Sequence, residues 1–164
     1  MKGFIKRLIN EAFDSQPFEF NEISSGNNGM KYSFVVNDDI TMLVDIKLKP
    51  HTDMIVSSVI DEFELSENSN GAYLYVDFGS EKYGPKSLNL DIRTSLKIIS
   101  TIKVIVEDVI NNKLNGLELM MIYSSPSSNG EKNTRKKIYD RLYTELIANG
   151  FKKFEYFGYS GIYK

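Results

Sequence analysis

The sequence predicts an α+β fold, or α/β by looser naming: a single mixed β-sheet flanked by helices. Three observations lead there. Residues 18–48 alternate apolar and polar positions in three successive runs, the period of half-buried antiparallel strands. Residues 91–112 place Ile92, Leu96, Ile99, Ile102, Val106 and Val109 every three or four positions, a stripe broad enough to lie against a sheet. Apolar runs at 72–78 and 117–123 flank that helix, and a strand–helix–strand unit of this kind sets its two strands parallel.

Taken in order, residues 2–13 put Phe4, Ile5, Leu8, Ile9, Ala12 and Phe13 on one helical face, and the helix stops before Pro17. FEFNEI begins the strands, and SSGNNG supplies the Gly and Asn residues of a tight hairpin connection. Met30, Tyr32, Phe34 and Val36 alternate, NDD turns the chain, and Ile40, Met42, Val44, Ile46 and Leu48 line one face of a third strand. After Pro50, DMIVSSVIDEFEL fits both periods imperfectly and is read as a strand, with Asp61, Glu62 and Glu64 on its solvated edge. GAYLYVDFGS is a strand buried on at least one side, and Asp91 starts the long helix as its N-cap.

Asn115 and Gly116 close that helix, and LELMMIYSS is the next apolar run. A second helix over 134–149 turns Ile138, Leu142 and Leu146 inward and ends at Gly150 as a left-handed residue. FKKFEYFGYSGIYK gives one strand, or two joined at Gly158. The order is therefore an N-terminal helix, an antiparallel meander, then β-α-β-α-β, within a single domain over 1–164.

The 41% hydrophobic content, with ten Tyr and ten Phe, belongs to a chain that folds. No cysteine is present, which excludes disulfides, thiol chemistry and Cys-ligated metals, and the one histidine, His51, excludes a multi-histidine site. No metal site is expected. No apolar run approaches the roughly 18–20 residues that span a bilayer, so neither a membrane segment nor a signal peptide is expected. The formal charge is −2, but residues 131–164 carry eight Lys or Arg against four Asp or Glu. That local excess suits a few anionic contacts, not a dedicated nucleic-acid binder.

The back half, strand (72–78), helix (91–112), strand (117–123), helix (134–149) and final strand behind a meander, resembles the layout of the GNAT N-acetyltransferase family. Asn133, Tyr139 and the pair Gly150 and Phe151 are similar to that family's Asn…Tyr…Gly-Phe run. The resemblance implies acetyl-CoA as cofactor, its phosphates held by the 79–94 loop, and Tyr139 or Tyr143 as general acid. The loop has Gly79 and Gly84 but lacks the Gln/Arg-x-x-Gly-x-Gly spacing, and Pro85 brings no amide. The helix LKIISTIKVIVEDVI, the apolar strand and the start RKKIYDRL also resemble small tailed-bacteriophage proteins, which implies a GNAT-like shell without its cofactor, located in host cytoplasm or virion.

Two sets of residues are candidates for contact. Lys132, Arg135, Lys136 and Lys137 open a helix, where peptide dipoles already favour an anion, so they are the candidate anion- or partner-binding set. Phe151, Phe154, Tyr156, Phe157, Tyr159 and Tyr163 put six rings in 13 residues, more than one strand face buries. Phe154, Tyr156, Tyr159 and Tyr163 are taken as interface aromatics, for a protein partner or self-association. The leading expectation is a non-catalytic assembly or accessory protein that needs no cofactor. The alternatives are an acyl-CoA-dependent N-acyltransferase and a nucleic-acid-binding accessory factor, the last resting on Lys152 and Lys153 among the rings.

Overall fold

The computed structural model describes residues 16–82, 90–125, 139–140, 142–144 and 150–164. Strands β1 (Phe20–Gly26), β2 (Gly29–Asn37) and β3 (Ile40–Lys49) form the meander. Helix α1 (Met54–Glu62) leads to β4 (Gly71–Ser80), and helix α2 (Ile92–Asp108), continued by a π turn over Val109–Lys113, leads to β5 (Glu118–Ser124). A hairpin of β6 (Lys152–Tyr156) and β7 (Tyr159–Tyr163) follows. The seven strands of the described residues lie in one mixed sheet, ordered β1-β2-β3-β4-β5-β7-β6, so the fold is of the α+β class. Among the described strands only β4 and β5 run parallel, and every other neighbouring pair is antiparallel.

Local chemistry accounts for the meander. Gly26 pairs with Gly29 across Asn27 and Asn28, and Asn37 pairs with Ile40 across two aspartates. The Asp39 amide donates to Asn37 Oδ1 at 3.0 Å, the side-chain turn that Asn favours. Alternation then sends Met30, Tyr32 and Phe34 of β2, and Met42, Val44 and Ile46 of β3, to one buried face.

That face packs against α2. Leu74 and Val76 of β4, Ile122 of β5 and Ile162 of β7 join the meander residues beneath Ile98, Ile102, Ile105, Val106 and Val109, with Tyr139, Leu142 and Tyr143 in the same core. The helix is turned from the expected stripe: Ile92 is 66% exposed, and Leu96 and Ile99 are half-buried. So many positions of α2 are apolar that several overlapping stripes are available, and the sheet takes the one centred on Ile102 and Ile105. Thr101 lies in that contact too, donating to Lys97 O at 2.8 Å and accepting from the Phe18 amide at 2.9 Å.

The second correction concerns residues 53–65, in which Met54–Glu62 form a helix rather than a strand. Asp53 Oδ1 accepts from the Ile55 amide (3.1 Å) and the Val56 amide (3.4 Å), an N-cap of a kind that stabilises a helix by about 1 kcal/mol. Ile55, Val56, Val59 and Ile60 then form one buried stripe on the opposite face of the sheet, over Tyr73, Met121, Tyr123, Phe154 and Tyr163. The β-branched residues suggested a strand, but burial outweighs so weak a preference. Asp61, Glu62 and Glu64 accordingly sit at a helix end, not on a strand edge. The expected helix over 2–13 lies outside the described residues.

Candidate functional site

Three places in the fold bring polar or aromatic groups together. The first is at the carboxyl ends of β4 and β5. Their pairing ends at Tyr75 and Tyr123, after which β4 continues to Ser80 beside β3. Ser124 and Ser160 face one another across β5 and β7, on the α2 side of the sheet. With Tyr143 they form a set of hydroxyls at most 3% exposed, and none of the three has a hydrogen-bond partner. Tyr139 is buried beside them, its ring 6.0 Å from that of Tyr143 and 5.2 Å from that of Phe78.

Burial pushes the Tyr143 phenol well above its ordinary value; the Ser124 hydroxyl opposes this, and the Tyr139, Tyr75 and Asp140 electrostatics add to it. The Ser124 effect is that of a nearby dipole, since the two oxygens do not meet with hydrogen-bond geometry. Tyr143 is therefore a protonated phenol at neutral pH, able to donate but not to act as a base.

The start of α2 is the second place. Asp91 accepts from the Thr94 amide at 2.9 Å and from the Thr94 hydroxyl at 2.6 Å. The Thr94 hydroxyl first, then the Thr94 amide, hold the exposed Asp91 carboxyl below its usual range. The sequence expectation of an Asp91 N-cap is met. A carboxylate thus takes donor groups that a cofactor pyrophosphate would need and adds negative charge beside them, so the helix start does not fit the acetyl-CoA implied by the GNAT resemblance. Gly79 lies in β4, and residues 83–89 of the loop, with Gly84 and Pro85, lie outside the described residues.

The third place is the α1 face and the hairpin beyond it. Tyr75, Tyr123 and Tyr159 cluster with ring centroids 5.4, 6.0 and 6.5 Å apart. Tyr123 donates to Asp53 Oδ1 at 3.2 Å, and Lys49 Nζ stands 3.3 Å from Asp53 Oδ2. Burial pushes the Asp53 carboxyl up, but the Val56 amide, the Lys49 ammonium and the Ile55 amide outweigh it and leave it below 3.8. Burial first, and then the Asp53 charge, drive the Tyr123 phenol upward. Asp53 thereby clamps α1 to β5.

Of the four interface aromatics expected from sequence, Phe154 and Tyr163 are buried under α1, where Phe63 stacks on Tyr163 at 4.8 Å; Tyr156 and Tyr159 are half-buried. Two strands, not one, share the load: all four rings project from the same face of the hairpin. Gly161 opposite Phe154 makes room, since a Cβ there would overlap the Ile122 carbonyl oxygen and stand 2.6 Å from Tyr123 Cβ.

The most exposed ring of the hairpin is one that the sequence counts among the six but not among the four interface aromatics. Phe157 is 84% exposed, at the two-residue turn joining Tyr156 to Tyr159. Both turn residues have positive φ, 46° at Phe157 and 80° at Gly158, as in the hairpin turns that favour Asn-Gly. The signal was present in YFGY, a two-residue Phe-Gly connection between alternating segments. Across the sheet, Ile23 (55% exposed) and Leu43 (37%) line an open groove of about 250 Å³, together with Gly79 and the charged residues Lys31, Asp45 and Asp77.

His51 lies in an exposed turn, and among the described residues no three acidic or histidine side chains converge as metal ligands. Lys132, Arg135, Lys136 and Lys137 lie outside the described residues. Among the described residues no helix is long and apolar enough to cross a membrane. Compared with known protein families, curated proteins and solved structures, the chain matches none.

Proposed function

We propose that the chain is a non-catalytic assembly or accessory protein of the phage type, working through protein–protein contact with the β6–β7 tip as its anchor. Phe157 carries this reading. A left-handed backbone costs a bulky residue on the order of 1 kcal/mol or more, and leaving a Phe in water forgoes roughly 1.5–3 kcal/mol of burial. Both costs fall on one residue, in a hairpin whose other rings are wholly or partly packed away. A partner surface that receives the ring offsets them, and aromatic anchors of this kind dominate binding energy at protein interfaces. Tyr156, whose ring meets Phe157 edge-on at 4.7 Å, braces the tip from behind.

The Asp91 carboxylate at the start of α2 counts against the acyltransferase alternative. The nucleic-acid alternative needs cations beside the exposed ring, yet Lys152 and Lys153 sit at the end of the hairpin away from the turn. The basic set at 132–137 belongs to the proposed contact on sequence grounds. A photo-crosslinking residue placed at 157 in the cell that makes the protein tests the reading. Crosslinks to protein that a control at Asn27 does not give are the expected result. An identical pattern from both positions would overturn it.

A further inference from the structure

Resting on that contact reading, we infer that the partner of the β6–β7 tip is a second copy of this chain, which receives Phe157 in the groove between Ile23 and Leu43. The groove, about 250 Å³ and open to solvent, has room for an aromatic ring, and Gly79 in its lining brings no side chain to the outer face of β4. Its lining includes the side chains of Ile23 and Leu43, apolar groups that stand in water in the single chain. Among the described residues the molecule therefore carries a protruding ring without an apolar seat and an apolar seat without a ring.

The polar groups around the two features also match. Tyr156 and Tyr159 flank the tip and bring phenol donors; Asp45, which also pairs with Lys47 at 3.5 Å, and Asp77, which accepts from the Phe78 amide at 2.9 Å, are register partners on β3 and β4 that bring carboxylates to the lining of the groove. A phenol donating to a carboxylate is a charge-assisted bond, stronger than a neutral pair and directional enough to fix how the tip enters.

Placement permits a closed pair. Gly79 in the groove lining lies near the carboxyl end of β4, and the tip adjoins Ser160, paired with Ser124 at the carboxyl end of the parallel β5. Ring and groove therefore open near the same end of the sheet, on its two halves. Two copies related by a two-fold axis can each donate a ring and each accept one.

Sedimentation equilibrium of the full chain and two surface variants, Phe157→Ser and Leu43→Glu, tests this. The wild type is expected to self-associate, and each variant alone to associate at least about tenfold more weakly, the loss usual for an interface anchor. An equal mixture of the variants should recover part of the association, because one retains the groove and the other the ring. Circular dichroism confirms that both variants are folded. A wild type that stays monomeric at its highest soluble concentration overturns the inference, as does a mixture that recovers nothing. Site-specific crosslinks from position 157 to a different protein, with a monomeric wild type, would leave the contact reading standing and remove the second copy as its partner.

Discussion

The meander and the C-terminal hairpin are built from the same antiparallel pairing, yet they differ in how closely they keep to local rules. In β1–β3 the turns use Asn, Asp and Gly, and the buried side chains of β2 and β3 alternate cleanly toward α2. In β6–β7 the turn uses Phe157, with an aromatic side chain where Asn would suit the backbone, and the rings crowd one face under α1. Consistency between local preference and global fold makes a structure easy to specify, and departures concentrate where a chain does something else. The hairpin is where this molecule departs.

The comparison breaks most visibly through the shared core. Ile105→Ala, at a position with no exposure, is expected to cost about 2–5 kcal/mol in urea unfolding, while Ile92→Ala on the same helix stays within about 0.5 kcal/mol. Equal losses would mean that α2 presents a different face. Gly161→Ala should cost about 1–3 kcal/mol, since the added carbon must push apart the strands that seat Tyr123 and Phe154.

A smaller effect is expected at Asp53, where Asp53→Ala removes a helix cap and leaves Tyr123 without that acceptor, for about 1–2 kcal/mol. The carboxyl is depressed in the folded state, so its stabilisation is complete above the ordinary value of 3.8 and fades as pH falls through the lower folded value. Asp53→Asn should flatten that acid limb of the stability–pH profile, and an unchanged limb would show that other carboxylates govern it. Smallest of all, and opposite in sign, Phe157→Asn should stabilise the monomer by up to about 1 kcal/mol by matching the residue to its left-handed backbone. A destabilised monomer would mean that Phe157 packs within its own chain and that the two hairpins obey the same rule.

Much of the fold was legible for physical reasons that particular residues display. Alternation in β2 and β3 has a period no helix shares, and Asp91 sits one residue before an apolar stripe, as a cap must. The candidate contact was only partly legible. Counting six rings in the last stretch correctly implied crowding, but whether a ring points inward depends on α1, the element read as a strand. With α1 misread, apolar character alone did not separate Phe154, which α1 covers, from Phe157, and only the Phe-Gly connection in YFGY set Phe157 apart.

By itself the sequence determined the α+β class, the meander with its turns, and the crossover that sets β4 beside β5, because these follow from periodicity and from backbone preferences within a few residues. Tertiary structure decided which face of α2 is buried, that residues 54–62 are helical, and that the ring left in water is Phe157. Each of those depends on which distant surface competes for the same apolar side chain, and that competition is settled only when the sheet and its helices meet.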